Sequence, residues 1–201
     1  MSDGVLTESA LTQVQRDDLL ARWSEPQRRY HTVDHLKQVL SSLGELGRAG
    51  VTFEAVPVRL AVWFHDAIYE IPGPDNESRS AKLAETMLDG QPFAKEVARL
   101  VRVTASHHVL PGDANAAALC DADLSILGES PARYGLYRQQ VRAEYQSVPD
   151  AHFRIGRADV LRRLLENDTL FHTDVGRELW ETQARRNVMT EIQELEQTVS
   201  E

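Results

Sequence analysis

The sequence predicts an all-α protein folded as one domain. Apolar residues recur at helical spacing along nearly the whole chain, and no stretch shows the strict apolar–polar alternation of a half-buried strand. Proline, glycine and small polar residues punctuate the pattern at intervals of helix length. With 201 residues, 42% hydrophobic and 26% charged, the chain suits one globular domain and not a disordered one.

The elements follow in order. Leu6, Leu11, Val14, Leu19, Leu20 and Trp23 mark a first helix that ends before Glu25-Pro26. A second begins near Thr32 and carries Val33, Leu36, Val39, Leu40 and Leu43, until Gly47 and Gly50 break it. Pro57 suits the first residue of a third helix, which holds the run LAVWFHDAIYE and is closed by Ile71-Pro72-Gly73-Pro74. Asn76 or Ser78 caps a fourth, ending near Asp89-Gly90. Pro92 opens a fifth that runs towards His107 and His108, and a sixth spans Ala116 to Leu127. Ser130-Pro131 starts a helix through Tyr134, Tyr137, Val141 and Tyr145. Shorter segments from Phe153 to Asn167 lead into a last helix from Arg177 to Thr198.

Lysine plus arginine number 22 and aspartate plus glutamate 31, for a formal charge of −9. That argues against broad, nonspecific nucleic-acid binding, which needs a basic footprint. No apolar run approaches the length of a membrane span, and the start MSDGVLTESA lacks the basic region of a secretory signal. A single cysteine, Cys120, excludes an intrachain disulfide and suits the cytoplasm. Any metal must therefore be held by histidine and carboxylate.

Such residues cluster. Five residues without an ionisable group, Leu60 to Phe64, lead into His65-Asp66, a pair costly to bury unless something satisfies it. His31 and His35 stand at i and i+4, one turn apart on a helical face. His107 and His108 end a helix, and Asp121 and Asp123 sit in the apolar context AALCDADLSIL. Leu119 and Leu127 lie a turn either side of Asp123 and favour an inward carboxylate, although carboxylates also suit a helix N-terminal region. Convergence of such groups from several helices is one way to build a metal site in a bundle.

The ordered set His35, then His65-Asp66, then a late aspartate resembles the HD superfamily of metal-dependent phosphohydrolases. The blocks RRYHTVDHLKQVL, AVWFHDAIYE, NESRSA, CDADLSILG, VRAEY, FRIGRADVL and ARRNVMTEI resemble a bacterial subfamily of predicted HD phosphohydrolases and extend the likeness over about residues 28–192.

The resemblance implies an HD-like helical bundle. It implies a divalent cation (Mn, Fe, Ni, Co, Zn or Mg) held by His35, His65, Asp66 and Asp123, with Asp121 as the competing last ligand. It implies hydrolysis of a small phosphorylated substrate, nucleotides among the candidates, by metal-activated water. Asp66 and Glu77 are then the expected catalytic carboxylates, while His31 and His107 are expected to touch substrate. Arg29, Lys37, Arg79 and Arg157 are candidates to offset phosphoryl charge. Some relatives carry a glutamate three or four residues after the pair; here Tyr69 and Glu70 occupy those positions and the HDxxED pattern is absent. That departure keeps two alternatives open: a non-catalytic metal- or nucleotide-binding module, and a helical interaction protein with a buried polar network.

Overall fold

The computed structural model describes residues 10–73 and 75–197. Helix α1 (Gln13–Trp23) starts with a capping box, in which Thr12 accepts from Gln15 N at 3.2 Å and the Gln15 side chain returns to Thr12 N at 2.8 Å. Leu6, expected on this helix, lies outside the described residues. Thr32 caps α2 (Val33–Arg48), and Gly50, in the left-handed region at φ 99°, follows its end. His31 therefore precedes the helix instead of sharing a helical face with His35.

Helix α3 (Ala55–Phe64) differs from expectation at both ends. It begins ahead of Pro57 and stops at Phe64, so the segment after the His-Asp pair is a set of turns and not helix. The pair sits at a helix C-terminus because side chains from elsewhere take over the backbone there. Helix α4 (Asn76–Met87) is preceded by Asp75 at φ 64°, and neither expected cap acts as one. Asn76 instead bonds both backbone groups of Glu70, at 3.2 and 3.0 Å.

Helix α5 (Ala94–Val103) ends before His107, which adopts φ 52° in the following turn. Asp113 caps α6 (Ala114–Leu124), and the expected extension to Leu127 is a 3-10 turn, Ser125–Gly128. Ser130 and Pro131 open α7 (Pro131–Glu144) as expected. One 16-residue helix, α8 (Asp150–Leu165), replaces the predicted short segments. The last helix, α9 (Thr182–Gln197), follows a π-helical turn at Arg177–Glu181, and Thr198 lies outside the described residues.

The architecture is all-α; among the described residues there is no strand, and no helix is long and apolar enough to cross a membrane. Two apolar clusters divide the bundle. Leu19, Trp23, Val39, Leu43, Leu60, Phe64, Leu100 and Leu119 belong to the first, built on α1–α6. Tyr30, Leu127, Tyr137, Val141, Leu161 and Phe171 belong to the second, built on the 3-10 turn and α7–α9. Trp180 packs against both. Its backbone comes so close to Gly128 that a Cβ there would collide with it, so a side chain at 128 would push the layers apart. His35, His65, Asp66 and Asp123 are gathered near this junction, where helix ends from both layers meet.

Candidate metal centre

Four donor atoms converge from three elements. His35 lies on the buried face of α2 with Leu36 and Val39; His65 and Asp66 follow the last turn of α3; Asp123 is on the last turn of α6. His35 Nε2 and His65 Nε2 stand 3.2 Å apart. Asp66 Oδ2 is 3.2 Å from His65 Nε2 and 3.9 Å from His35 Nε2. Asp123 Oδ1 lies 3.2 Å from His35 Nε2 and 3.4 Å from His65 Nε2. Donors about 2.1 Å from a shared ion stand about 3.0 Å apart at adjacent octahedral corners and about 3.4 Å apart in a tetrahedron. His35, His65 and Asp66 offer ligand atoms that all lie within 4.8 Å of one another, and Asp123 Oδ1 stands at edge distance from both imidazoles.

The hydrogen bonding points the same way. His65 Nδ1 lies 2.8 Å from the Val62 carbonyl, and donating to it leaves the Nε2 lone pair facing His35 Nε2 and two carboxylates. Four electron-rich atoms in a site this buried repel one another unless a cation or a proton lies among them. Without a metal the protons respond accordingly. Burial opposes charge on His65, but the Asp66 and Asp123 carboxylates together raise it well above the usual imidazole range. Burial likewise opposes ionisation of Asp66 and Asp123, yet the His65 charge and the hydrogen bonds of the neighbouring histidines hold both low. Histidine and carboxylate are also the donor set that borderline and hard divalent ions take. The residues present fit such an ion.

Neighbours fix each donor. Trp23, fully buried, has its ring 5.3 Å from that of His65 and 6.1 Å from that of His35, and its Nε1 donates to the Trp63 carbonyl at 2.9 Å. His107 Nε2 meets Asp123 Oδ2 at 2.9 Å, leaving Oδ1 to face the two imidazoles. Arg28, 4% exposed, donates to the carbonyls of His31 at 3.0 Å, Asp66 at 2.7 Å and Ala67 at 3.2 Å, and so ties the turn before α2 to the turn after α3. Ser80 Oγ accepts from Ile68 N at 3.0 Å and extends this hold along the turn.

Asp121 does different work. It is fully buried, and accepts from the backbone N–H groups of His172 at 2.7 Å and Thr173 at 2.8 Å and from the Thr173 hydroxyl at 2.7 Å. Burial nevertheless pushes its carboxyl up. Gly176 lies so close that a Cβ there would collide with the carboxylate. Asp121 thus anchors the segment leading to α9, and Asp123 is the aspartate that reaches the histidines.

His31 is held just outside the four donors. Its Nδ1 meets Glu144 Oε2 at 2.7 Å, its Nε2 is 3.9 Å from Asp66 Oδ2, and its ring stacks on Tyr69 at 4.1 Å between centroids. Glu144, at the end of α7, is buried. Burial alone would raise its carboxyl, but His31 and the N–H groups of Arg29 and His31 keep it below the usual range. Sequence reasoning missed Glu144, although it continues the Tyr137–Val141 stripe one turn on, where an acid on an apolar face is a signal in itself.

A cleft of about 530 Å³ opens over this cluster, lined by His31, Tyr69, Glu77 and His107 at the metal end. Glu77 is half-buried in the first turn of α4, a position that also suits the helix dipole. The four expected phosphoryl-facing cations are placed otherwise. Arg79 makes a paired contact with Glu70, both bonds 2.8 Å, on the surface. Arg157 lines the cleft but is neutralised by Glu191 at 2.9 Å. Arg29 and Lys37 line a separate depression, where Arg29 bonds backbone carbonyls and Lys37 lies 3.8 Å from Asp34. No family model, curated protein or solved structure matches the chain, so the reading of this centre stands on its own donors and their spacing.

Proposed function

We propose that the protein is a metal-dependent phosphohydrolase in which His35, His65, Asp66 and Asp123 hold one divalent cation. The observation that supports this reading is the convergence of two buried imidazoles with the Asp66 and Asp123 carboxylates, 3.2 to 3.9 Å from the imidazole nitrogens, beside an open cleft. A purely structural polar network needs no such cleft. Bound there, a divalent cation would polarise a phosphoryl oxygen and bring the pKa of water towards neutrality.

The chain's own residues would do the rest. His107 and Trp23 hold the ligand side chains in register. In hydrolysis the water oxygen forms a new bond to phosphorus and gives up a proton, the ester P–O bond breaks, and the departing alkoxide takes up a proton. His31 is placed to relay that proton from water to alkoxide: Glu144 fixes its Nδ1 side, so Nε2 faces the cleft beside Asp66. Glu77 shares the cleft without a bond to any of the four donors, so His31 is the better proton carrier in this reading.

The test is direct. Purified protein supplemented with Mn should carry about one equivalent of metal and hydrolyse phosphomonoesters, and His65→Ala and Asp123→Ala should lose both properties. Metal without turnover on any phosphoester would favour a non-catalytic module. No metal at all would sink both readings.

A further inference from the structure

The proposed site has a cleft whose polar side chains are nearly all committed to the protein itself. Asn76 bonds the Glu70 backbone, and the Thr104 hydroxyl bonds the Val101 carbonyl at 2.8 Å. Tyr137 accepts from Arg157 at 3.0 Å, and Arg157 also pairs with Glu191. The Tyr30 hydroxyl has no partner but is sealed from solvent. Groups still able to serve a ligand lie towards solvent: Ser106, Arg163 and Asn167 are exposed and Glu77 is half-buried. The apolar part of the lining is Leu124, Ile126, Leu127, Val141, Val160, Leu161 and Leu164, and Tyr137, Tyr145 and Arg157 line the cleft beside it. Val160 is 50% exposed, a large apolar side chain left open to this cleft.

A sugar or nucleoside inside such a wall would strand its hydroxyl and ring polar groups without partners, which costs more than an apolar group loses by entering. We infer that the ester's organic part is apolar, an alkyl or aryl group, and that the enzyme selects phosphate monoesters of apolar alcohols over sugar phosphates and nucleotides. This rests on the phosphohydrolase reading given above and narrows its substrate class.

The experiment compares Mn-loaded protein on butyl, hexyl, octyl and 2-naphthyl phosphate with glycerol phosphate, glucose 6-phosphate and adenosine monophosphate. We expect kcat/KM to rise about fourfold per added methylene until the wall is covered. The polar esters should fall at least about fivefold below apolar ones of similar size. Val160→Asp should flatten the dependence on chain length, and that slope is the readout, whatever the absolute rate. Equal or better turnover of glucose 6-phosphate or adenosine monophosphate would overturn the inference, as would an unchanged slope in the variant. If no ester is turned over, the phosphohydrolase reading fails. The same ranking measured as Kd by calorimetry then decides the inference alone: apolar esters binding tighter support it, and polar esters binding as tightly refute it.

Discussion

Glu144 and His31 act as one unit across the two layers of the bundle. Glu144 Oε2 accepts from His31 Nδ1 at 2.7 Å, while Oε1 accepts from the backbone N–H groups of Arg29, Tyr30 and His31 at 2.8, 2.8 and 2.9 Å. One carboxylate therefore shapes the turn before α2 and sets which His31 nitrogen faces the cleft. Glu144→Gln keeps the shape but can present its N–H₂ to His31, which removes the acceptor that fixes its Nδ1 side. We expect kcat to fall about 10–100-fold with KM and metal content little changed. Steady-state kinetics beside metal analysis read this, and wild-type turnover in the variant would remove His31 from the mechanism.

The same carboxylate leaves a mark on acid stability. Its folded pKa is held below the ordinary glutamate value by His31 and the backbone donors, against the opposing effect of burial. A depressed carboxyl stabilises the fold fully above its unfolded pKa, about 4.3, and that contribution disappears as pH falls through the folded value. Wild type should therefore be more stable than Glu144→Gln at neutral pH, and the gap should close as pH drops below about 4. Urea unfolding of both proteins from pH 7 to 3 measures it; a constant gap across that range would contradict the assignment.

The all-α class and the starts of α2 and α7 were legible because local signals agree with the fold: Thr32, Ser130 with Pro131, and the apolar stripes act as read. The site histidines were legible because charge on an apolar helix end is costly. What the sequence hid is mostly what one residue does for distant backbone. Asn76 reads as a cap, yet its amide is spent on Glu70; Asp121 reads as a rival ligand, yet it binds backbone 51 and 52 residues away. The glutamate of the block VRAEY crosses to His31 over 113 residues, a pairing no local pattern announces. Helix α3 stops early for the same reason, since Arg28 and Ser80 satisfy the backbone beyond Phe64. Periodicity along one segment does not contain these pairings.

Arg28 should matter more to the site than any of the arginines first considered for phosphate. Arg28→Met keeps an apolar stem but removes the guanidinium that lies over Trp23 and leaves the carbonyls of His31, Asp66 and Ala67 without this donor. We expect a loss of about 2–4 kcal/mol in stability and a 10–100-fold weaker metal affinity. Arg28→Lys should recover only part of either, because an ammonium cannot reproduce the guanidinium fork. Chemical denaturation and metal titration read the two effects separately, and full rescue by lysine would show that charge alone suffices.

Asp121 and Asp123 stand two residues apart and should fail in opposite ways. Asp123 Oδ1 faces both imidazoles, so Asp123→Asn replaces a charged donor of the cluster with a neutral one. Metal binding should weaken at least about 100-fold. Asp121 meets only the backbone and hydroxyl of the segment before α9, so Asp121→Asn should keep the metal stoichiometry. There the new N–H₂ must face an N–H or O–H donor, costing about 1–3 kcal/mol. Each kcal/mol lowers Tm by roughly 2–4 °C in a chain of this size. Metal analysis and thermal unfolding of the two variants side by side make the comparison. Loss of metal from Asp121→Asn, with Asp123→Asn retaining it, would reverse the assignment of the last ligand.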